Sequence, residues 1–351
     1  MIHPTRSLED RPDVRRLRVV RSLDEERWSS FVDGQPTSSI FHTPEMHRVF
    51  AETRNHRPGV WAAVGEDGAV HALLTPVAIA TLGGPLRALT TRVVSFAGPL
   101  VTRGPSEGAI LETLLRAYQR QSPRAALFTE FRNPIDPGDL GATLASCGFR
   151  HEAHLNFLVD LSLPEEALWE RVVPSARRNV RKARRMGVTV EEAHDPAGIA
   201  AGYGVLREVY RRIRVPLPHG SLFDAGFRIL GPLGRFTMLL ARVQGRTLGV
   251  LTLLRYRGVV TYWYTGTLRE DAAYRAGDLL VWHAISSGGA RGDRVLDFGG
   301  AGRPDQPYGV RDFKAKYGGA LVEPGRDVWV PSPLRMRVTT AGYEAVRGFL
   351  R

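Results

Sequence analysis

Residues 236–268 read FTMLLARVQGRTLGVLTLLRYRGVVTYWYTGTL, and this stretch predicts three consecutive antiparallel strands. Its apolar runs are interrupted at Gln244-Gly245 and at Arg257-Gly258, where a polar residue followed by glycine favours a tight turn. A helical pattern follows from Asp278, a plausible N-cap, and leads to a strand at RVLDF, residues 294–298. A meander followed by a helix and a further strand predicts an α/β fold.

The first half of the chain follows the same plan. Strands are predicted at residues 16–20 and in a hairpin over 61–80, and a further strand ends in SFAGPL, residues 95–100. A helix over about 107–121 and a strand at 125–132 come next. Helices therefore alternate with strands in both halves.

The two halves also share spaced identities. Sliding the sequence by 168 residues aligns Gly98 with Gly266 and Leu111 with Leu279. We interpret this as a duplicated unit, although any two α/β units share apolar periodicity. Each copy is predicted to be a mostly antiparallel or mixed sheet flanked by helices.

The expected domain boundaries follow from this pattern. We expect a loose N-terminal segment at 1–15, a first domain at 16–158, a second domain at 159–330 and a C-terminal tail at 331–351. The two domains are expected to pack with a cleft between them.

Composition limits the possible partners. The chain has 351 residues and a formal net charge of +12, which favours phosphate-bearing partners. Cys147 is the only cysteine and the ten histidines are scattered, so we expect neither a disulfide framework nor a bound metal. No apolar run reaches the roughly 20 residues that span a bilayer. These features predict a cytoplasmic protein and leave peripheral contact with the inner face of an anionic membrane open.

The most strongly charged segment is PSARRNVRKARRMG, residues 174–187. At about 100° per residue its six cations fall within an arc of roughly 160°, and the apolar side chains gather opposite. Neighbouring cations repel one another unless an anion lies close, so we interpret this arc as an anion-binding face. A solvated basic face is the structural alternative. The six cations are Arg177, Arg178, Arg181, Lys182, Arg184 and Arg185.

Two segments carry candidate binding groups. In Tyr262-Trp263-Tyr264, strand alternation predicts that both tyrosines project from one face and can orient a polar substrate. Ordinary half-buried strand tyrosines are the alternative. Asp297 precedes the glycine-rich segment 299–302, where it can accept a hydrogen bond from a substrate amine, cap a turn or pair with an arginine.

A third segment, GVRDFKAKYGG at residues 309–319, predicts a short helical turn. Phe313 and Tyr317 share one face of it at a spacing of four, and Lys314 points elsewhere. A lysine here can stabilise the oxyanion that forms when an amine attacks a carbonyl, an effect of about 3 kcal/mol in a dry site. A solvated surface lysine is the alternative.

Five motifs occur in a fixed order between residues 176 and 322: ARRNVRKARRMGV, YWYTGT, GDLLVWHAI, LDFGG and GVRDFKAKYGG. In this order they resemble the FemABX peptidoglycan-bridge aminoacyltransferases and the wider FemAB-like, double-GNAT acyltransferases. The resemblance implies two tandem GNAT-like domains, acyl transfer in a channel of the second domain, and a C-terminal tail that packs back on the first. Two family features are missing. The long coiled-coil arm has no counterpart, and AAYRAGDLL does not match the acyl-CoA pyrophosphate loop of ordinary GNAT enzymes.

The resemblance also implies residue roles. The catalytic residues would be Lys314, which polarises the carbonyl, and Tyr262 and Tyr264, which orient the reacting groups. The residues that bind substrate would be Arg178, Asn179, Arg181, Lys182, Asp297 and Phe313, with the basic ones holding tRNA or a substrate diphosphate.

The function that follows is an acyltransferase that moves an aminoacyl group, carried by aminoacyl-tRNA, onto an amine of a cell-wall precursor or related small molecule. The first alternative is an acyl-CoA-dependent N-acyltransferase that acts on a sugar or peptide amine. The second is a non-catalytic binder of nucleic acid or of an anionic membrane. Either donor is a co-substrate, and no tightly bound cofactor is expected. The general base and the oligomeric state stay open.

Overall fold

The computed structural model describes residues 14–80, 90–122 and 126–333. The chain folds as two compact units and crosses between them more than once. The first unit comprises Met1–His47, Asn55–Glu152 and Gly325–Arg351, and the second comprises Arg48–Arg54 and Ala153–Pro324. Helices accompany mixed sheets in both units, so the predicted α/β class is confirmed.

The strands have the following bounds in chain order. The first nine are β1 (Arg18–Val20), β2 (His56–Pro58), β3 (Trp61–Val64), β4 (Val70–Leu74), β5 (Val77–Ala80), β6 (Thr91–Ser95), β7 (Leu100–Val101), β8 (Thr129–Arg132) and β9 (Arg150–Glu152). The others are β10 (Asn156–Asp160), β11 (Thr189–Glu192), β12 (Phe236–Val243), β13 (Arg246–Tyr256), β14 (Val259–Thr267), β15 (Val295–Gly300), β16 (Ala320–Val322) and β17 (Arg326–Trp329).

The α-helices alternate with these strands. They are α1 (Glu25–Gly34), α2 (Pro44–Ala51), α3 (Glu107–Gln121), α4 (Leu140–Ser146), α5 (Glu165–Arg171), α6 (Pro174–Arg185), α7 (Pro196–Ile213), α8 (Ser221–Leu230), α9 (Ala276–Ala290) and α10 (Gly309–Lys314). Helix α9 begins two residues before the predicted N-cap at Asp278, because Arg275 adopts a left-handed conformation with φ of 57° and starts the helix there.

The first unit contains two sheets. Their strand orders are β1-β3-β4-β7 and β2-β5-β6-β8-β17-β9. Helix α3 buries its apolar side, including Leu111 and Leu114, against the core of this unit. Strand β17 comes from the end of the described chain and lies between β8 and β9. The predicted return of the tail concerned residues 331–351, and those beyond 333 lie outside the described residues.

The second unit is built on one seven-stranded sheet with the order β11-β12-β13-β14-β15-β10-β16. The predicted meander is confirmed, because β12, β13 and β14 pair antiparallel in sequence. Both turns are the predicted ones. Gln244, Gly245, Arg257 and Gly258 all have positive φ, as hairpin turns that match the twist of the strands require.

Both units contain the same central motif. In each, a parallel pair of strands is joined through a long helix: β6, α3 and β8 in the first unit, and β14, α9 and β15 in the second. The pairs Val93–Thr129 and Val259–Val295 open the two ladders and have the same separation along the chain. This repetition favours the interpretation of a duplicated unit.

Candidate functional site

The two central parallel strands of the second unit separate after a short ladder. Strands β14 and β15 pair only from Val259–Val295 to Thr261–Asp297. Beyond that point the two strands no longer pair with each other, while β14 continues to pair with β13 and β15 with β10. We call the opening between residues 262–267 and residues 298–300 the wedge. Along residues 262–267 the backbone polar groups on this side of β14 no longer face β15 across a ladder and can bond to a ligand.

Strand β14 contains a β-bulge at the inner end of the wedge, directly after its last pair with β15. Its register against β13 shifts so that Trp263 is the extra residue between Tyr262 and Tyr264. The ring of Tyr262 therefore packs on Phe298 at 5.3 Å, whereas the ring of Tyr264 packs on Phe223 of α8 at 5.3 Å. The prediction that both tyrosines project from one face is wrong, because a bulge shifts the alternation of side chains by one residue.

Tyr262 is buried at the inner end of the wedge. Its ring centroid lies 5.6 Å from the Lys314 ammonium. Burial raises the pKa of Tyr262 to about 12, and a hydrogen bond with Thr265 opposes that rise. The phenol is therefore neutral at physiological pH and can donate a hydrogen bond.

Tyr210 of α7 is a neighbour that the sequence did not indicate. Its ring lies 6.2 Å from the ring of Tyr264. Burial raises the pKa of Tyr210, and the nearby phenols of Tyr264, Tyr262 and Tyr308 raise it further. Phenols from α7, β14 and the loop before α10 thus come close together. A lone tyrosine in an amphipathic helix carries no signal that separates it from an ordinary core residue.

Lys314 lies inside the protein with a side chain that is almost fully buried. Its Nζ donates to the carbonyl oxygens of Phe298 at 2.6 Å, Gly299 at 3.3 Å and Gly300 at 2.9 Å. Burial lowers the pKa of Lys314 to about 8, and the nearby carboxylate of Asp297 opposes this fall. The alternative of a solvated lysine is therefore wrong. All three N–H groups of the ammonium already have acceptors on one edge of the wedge.

Arg311 completes this arrangement one helical turn earlier. Its guanidinium donates to the carbonyl oxygens of Ala301 at 3.0 Å and Gln306 at 2.6 Å, and also to that of Arg303. Helix α10 therefore directs two cationic side chains at the backbone carbonyls of residues 298–306. Lys314 was predicted from the sequence and Arg311 was not, although the two occur three residues apart, where helical side chains share a face.

Asp297 closes the turn at the end of β15. Its Oδ1 accepts hydrogen bonds from Asn156 Nδ2 and from the backbone N–H of Gly299, both at 2.7 Å. Burial raises the pKa of Asp297, and these hydrogen bonds and the Lys314 charge oppose the rise. Of the three roles considered for this carboxylate, the observed contacts are those of a turn cap. Asn156 is a third residue, after Tyr210 and Arg311, that sequence reasoning missed.

Phe313 packs beside this turn. Its ring centroid lies 5.4 Å from that of Tyr317, as the spacing of four predicts. The Lys316 ammonium lies 5.6 Å from the centre of the Phe313 ring. Phe313 is half-buried. The stretch Arg311–Tyr317, which we call the Lys314 turn, therefore has an aromatic side next to the buried ammonium.

Helix α6 has the predicted two-sided character. Its residues Ala176, Val180 and Ala183 are fully buried, and the six cations are exposed or half-buried. Within the described ranges none of the six cations forms an ion pair with a carboxylate. The Arg181 guanidinium lies over Trp169 at 5.5 Å. We call these six side chains the cationic face.

Asn179 does not belong to the cationic face. Its amide donates to Oδ2 of Asp278 at 3.2 Å, and Oδ1 of the same carboxylate accepts from the Tyr317 hydroxyl at 3.1 Å. The expected role of Asn179 in holding a substrate phosphate therefore conflicts with the contacts it makes. The resemblance placed Asn179 with its basic neighbours because they are adjacent in sequence, whereas a helix turns adjacent residues by about 100°.

Metal-binding clusters and membrane-spanning helices are both absent from the part of the chain that the structure describes. No group of three or more histidine, cysteine or acidic residues there could hold a metal ion. No helix there has both the length and the apolar character needed to cross a bilayer.

Comparisons with known proteins agree with the fold described above. Residues 172–314 match the family model described as an acetyltransferase (GNAT) domain. No curated protein sequence matches the chain significantly.

Among solved structures, FemX has 14% sequence identity and a TM-score of 0.68, with 92% of this chain and 100% of that chain covered. The C-terminal domain of a putative lysylphosphatidylglycerol synthetase from Agrobacterium fabrum has 16% identity and a TM-score of 0.57, with 92% and 94% covered. A tandem GNAT protein from the clavulanic acid biosynthesis pathway has 14% identity and a TM-score of 0.57, with 90% and 99% covered. The chain has the FemAB-like double-GNAT fold and carries a GNAT-type acyltransferase domain in its second unit.

Proposed function

We propose that this transferase moves an aminoacyl group from aminoacyl-tRNA onto an amine of a cell-wall precursor or a related small molecule. The observation that carries the proposal is the wedge. One of its edges holds Tyr262 and Tyr264, and the other is held by the buried Lys314 ammonium. A cationic face without acidic partners in the described chain belongs to the same unit.

The wedge suits an acyl group in its reacting position. The acceptor amine attacks the ester carbonyl carbon, and a C–N bond forms as the carbonyl oxygen becomes an oxyanion. The C–O bond to the terminal ribose of the tRNA then breaks. The amine loses one proton and the ribose oxygen gains one, so no net proton is released. Backbone N–H groups at the separated strand edges can hold the carbonyl, and the neutral phenol of Tyr262 can donate to it.

Lys314 contributes its charge rather than a free N–H group. Its three protons are directed at the carbonyls of residues 298–300, so direct donation to the oxyanion requires the loss of one of these bonds. A buried positive charge beside the wedge nevertheless stabilises a developing negative charge, because the surroundings screen it weakly. The charge also holds the strand edge in place.

The cationic face supports a nucleic acid donor. The side chains of Arg178, Arg181 and Arg185 are exposed and succeed one another along α6 at intervals of three or four residues. At a rise of about 1.5 Å per residue these intervals are 4.5–6 Å, so the helix can contact successive phosphates. Two neighbours of similar fold, FemX and the putative lysylphosphatidylglycerol synthetase, bear names linked to aminoacyl transfer.

Acyl-CoA is the second candidate donor. The matching family model is described as an acetyltransferase, and this favours a thioester donor. Against it stands AAYRAGDLL, residues 272–280, which lacks the glycine spacing of the pyrophosphate loop before α9. The cationic face would then hold the phosphates of CoA or of a nucleotide sugar.

Mass spectrometry of the acceptor tests the proposal. The purified protein is incubated with candidate amines, together with either a mixture of charged tRNAs or acetyl-CoA. We expect the mass of one amine to increase by that of an aminoacyl group when charged tRNA is the donor, and no increase when acetyl-CoA is the donor. An acetyl increment with acetyl-CoA and none with charged tRNA would favour the second donor. No increment with either donor would leave a non-catalytic binder.

A further inference from the structure

Asp278 is a buried carboxylate that the proposed reaction does not use. It lies in the first turn of α9 and is 7% exposed. Within the described residues no arginine, lysine or histidine lies within ion-pair distance of it. Its two hydrogen-bond partners are neutral, namely the Asn179 amide at 3.2 Å and the Tyr317 hydroxyl at 3.1 Å. Burial raises its pKa, although both hydrogen bonds and the charges of Lys316 and Arg275 oppose the rise.

The two partners come from the two parts of the site that bear positive charge. Asn179 belongs to α6 and lies between Arg178 and Arg181 of the cationic face. Tyr317 ends the Lys314 turn, and its ring packs on Phe298 at 5.9 Å. The carbonyl of Phe298 is the nearest acceptor of the Lys314 ammonium. One carboxylate therefore connects the anion-binding helix to the strand edge that Lys314 holds.

A second contact joins the same two elements. The backbone N–H of Val173, at the start of α6, donates to the carbonyl of Lys316 at 2.9 Å. Gly318 has a positive φ of 73°, and an added Cβ there would lie 2.5 Å from Cβ of Arg171. The chain after the Lys314 turn thus passes close against the connection between α5 and α6. The Lys314 turn and α6 are therefore held together at two places. The contact at the start of α6 is between backbone atoms, and the contact at the middle of α6, through Asp278, depends on side chains.

We propose that Asp278 is a positioning residue that joins the cationic face to the Lys314 turn, so that binding of a polyanion on α6 orders the edge of the wedge. This inference rests on the proposed function for its purpose. It states that the cationic face and the edge of the wedge, both in the second unit, are coupled. This coupling can be measured without any acyl transfer.

The coupling follows from a continuous series of contacts that runs from α6 through Asn179 and Asp278 to Tyr317. An anion bound to Arg178 and Arg181 restrains the segment of α6 on both sides of Asn179, and so restrains Asn179 itself. Asn179 and Tyr317 bind opposite oxygens of one carboxylate, so fixing one restricts the other. Side chains in one hydrogen-bond network act together, and their removal has effects that do not add.

Hydrogen exchange of the intact protein tests the coupling. Amide exchange in residues 298–300 and 311–317 is measured without and with uncharged tRNA, and in parallel with long-chain inorganic polyphosphate. For the wild-type chain we expect the polyanion to slow exchange in these segments at least about fivefold. Binding itself is followed by the tryptophan fluorescence of the protein, to which Trp169 contributes from its place under Arg181.

The variants Asn179→Ala and Tyr317→Phe each remove one arm of the bridge. Each is expected to keep polyanion affinity within about twofold and to lose most of the slowing of exchange. The double variant is expected to lose no more than either single one. The matched control is Tyr118→Phe, which removes a buried tyrosine hydroxyl bonded to Thr129 in the first unit and should keep the full effect.

Four results would overturn the inference, and the first three concern hydrogen exchange. They are polyanion binding that leaves exchange unchanged in the wild type, variants that retain the wild-type slowing, and effects of the two variants that add. Absence of polyanion binding also counts against it. Failure of acyl transfer alone, with the exchange effect intact, would contradict the proposed function and leave this inference standing.

Discussion

Lys314 is unusual at the scale of a single residue because its ammonium group has no bulk water to solvate it. Three backbone carbonyls replace that water. Burial of an ammonium costs free energy unless its donors are satisfied, and here they are. The same three bonds that keep the lysine charged also hold the edge of the wedge.

The variant Lys314→Met tests this role. It removes the charge and leaves three carbonyls without their donor, so we expect kcat to fall by about 10²- to 10³-fold. The KM for the donor should change little, because we propose that α6 provides most of the donor affinity. The control is Lys316→Met, which removes a half-buried lysine two residues away. Retention of kcat within twofold in Lys314→Met would show that the charge is not needed.

The pH dependence of the wild type provides a separate prediction. The pKa of Lys314 is lowered to about 8, and a lysine is charged below its pKa. We therefore expect kcat to fall as pH rises through about 8. The measurement needs an acceptor whose amine is already deprotonated at neutral pH, since ionisation of the acceptor acts in the opposite direction. A profile that is flat from pH 7 to pH 9 would contradict the assignment.

At the scale of elements, the proposed contact with a phosphate chain is made by the cationic face of α6. The variant with Arg181→Gln and Lys182→Gln removes two phosphate contacts. The slope of log affinity for tRNA against log salt should become shallower by roughly 1.4 to 1.8. The control is Arg103→Gln with Arg120→Gln, which neutralises two exposed arginines of the first unit and should leave the slope unchanged. Equal effects in both variants would mean that overall charge alone governs binding.

In strand β14 the alternation of side chains predicted from the sequence is interrupted. Its apolar alternation and its turns predict a strand in the correct place, and the structure agrees. The bulge at Trp263 is not visible in the letters YWY, because it depends on how β14 registers against β13. Because of the bulge, Tyr262 packs on Phe298 whereas Tyr264 packs on Phe223.

At the scale of the whole molecule, the first unit contains a buried histidine that should make stability depend on pH. His42 is 1% exposed, and its Nε2 lies 2.8 Å from the carbonyl oxygen of Gly98 while Nδ1 accepts from the N–H of Ser39. Burial lowers its pKa to about 4. The unfolded chain, with an ordinary pKa near 6.5, therefore binds a proton more readily than the folded one.

The sign of the effect follows from that difference. Stability is complete above about pH 6.5 and decreases as pH falls toward 4, with a loss of about 2 kcal/mol between pH 7.5 and pH 5. Urea unfolding at the two pH values, followed by tryptophan fluorescence, measures this loss of stability. In His42→Gln this part of the pH dependence should vanish, and in His194→Gln, an exposed histidine, it should remain. A His42→Gln variant as acid-sensitive as the wild type would exclude His42 as the cause.

Much of this protein is determined by the sequence alone. The apolar periodicity of 236–268, with glycine turns at 245 and 258, is local and predicts the meander, because turn conformation and alternation depend on neighbouring residues. The two-sided helix α6 is equally local. Motif order pointed to the double-GNAT fold, and the solved structures of similar fold agree.

Tertiary structure decided the features that depend on residues far apart in the sequence. Lys314 reaches the carbonyls of Phe298 and its neighbours only because α10 folds back on the end of β15. Asn179 turns inward because Asp278, about a hundred residues later, lies beneath it. Hydrogen bonds and strand register join groups by distance in space, and a linear pattern contains no measure of that distance.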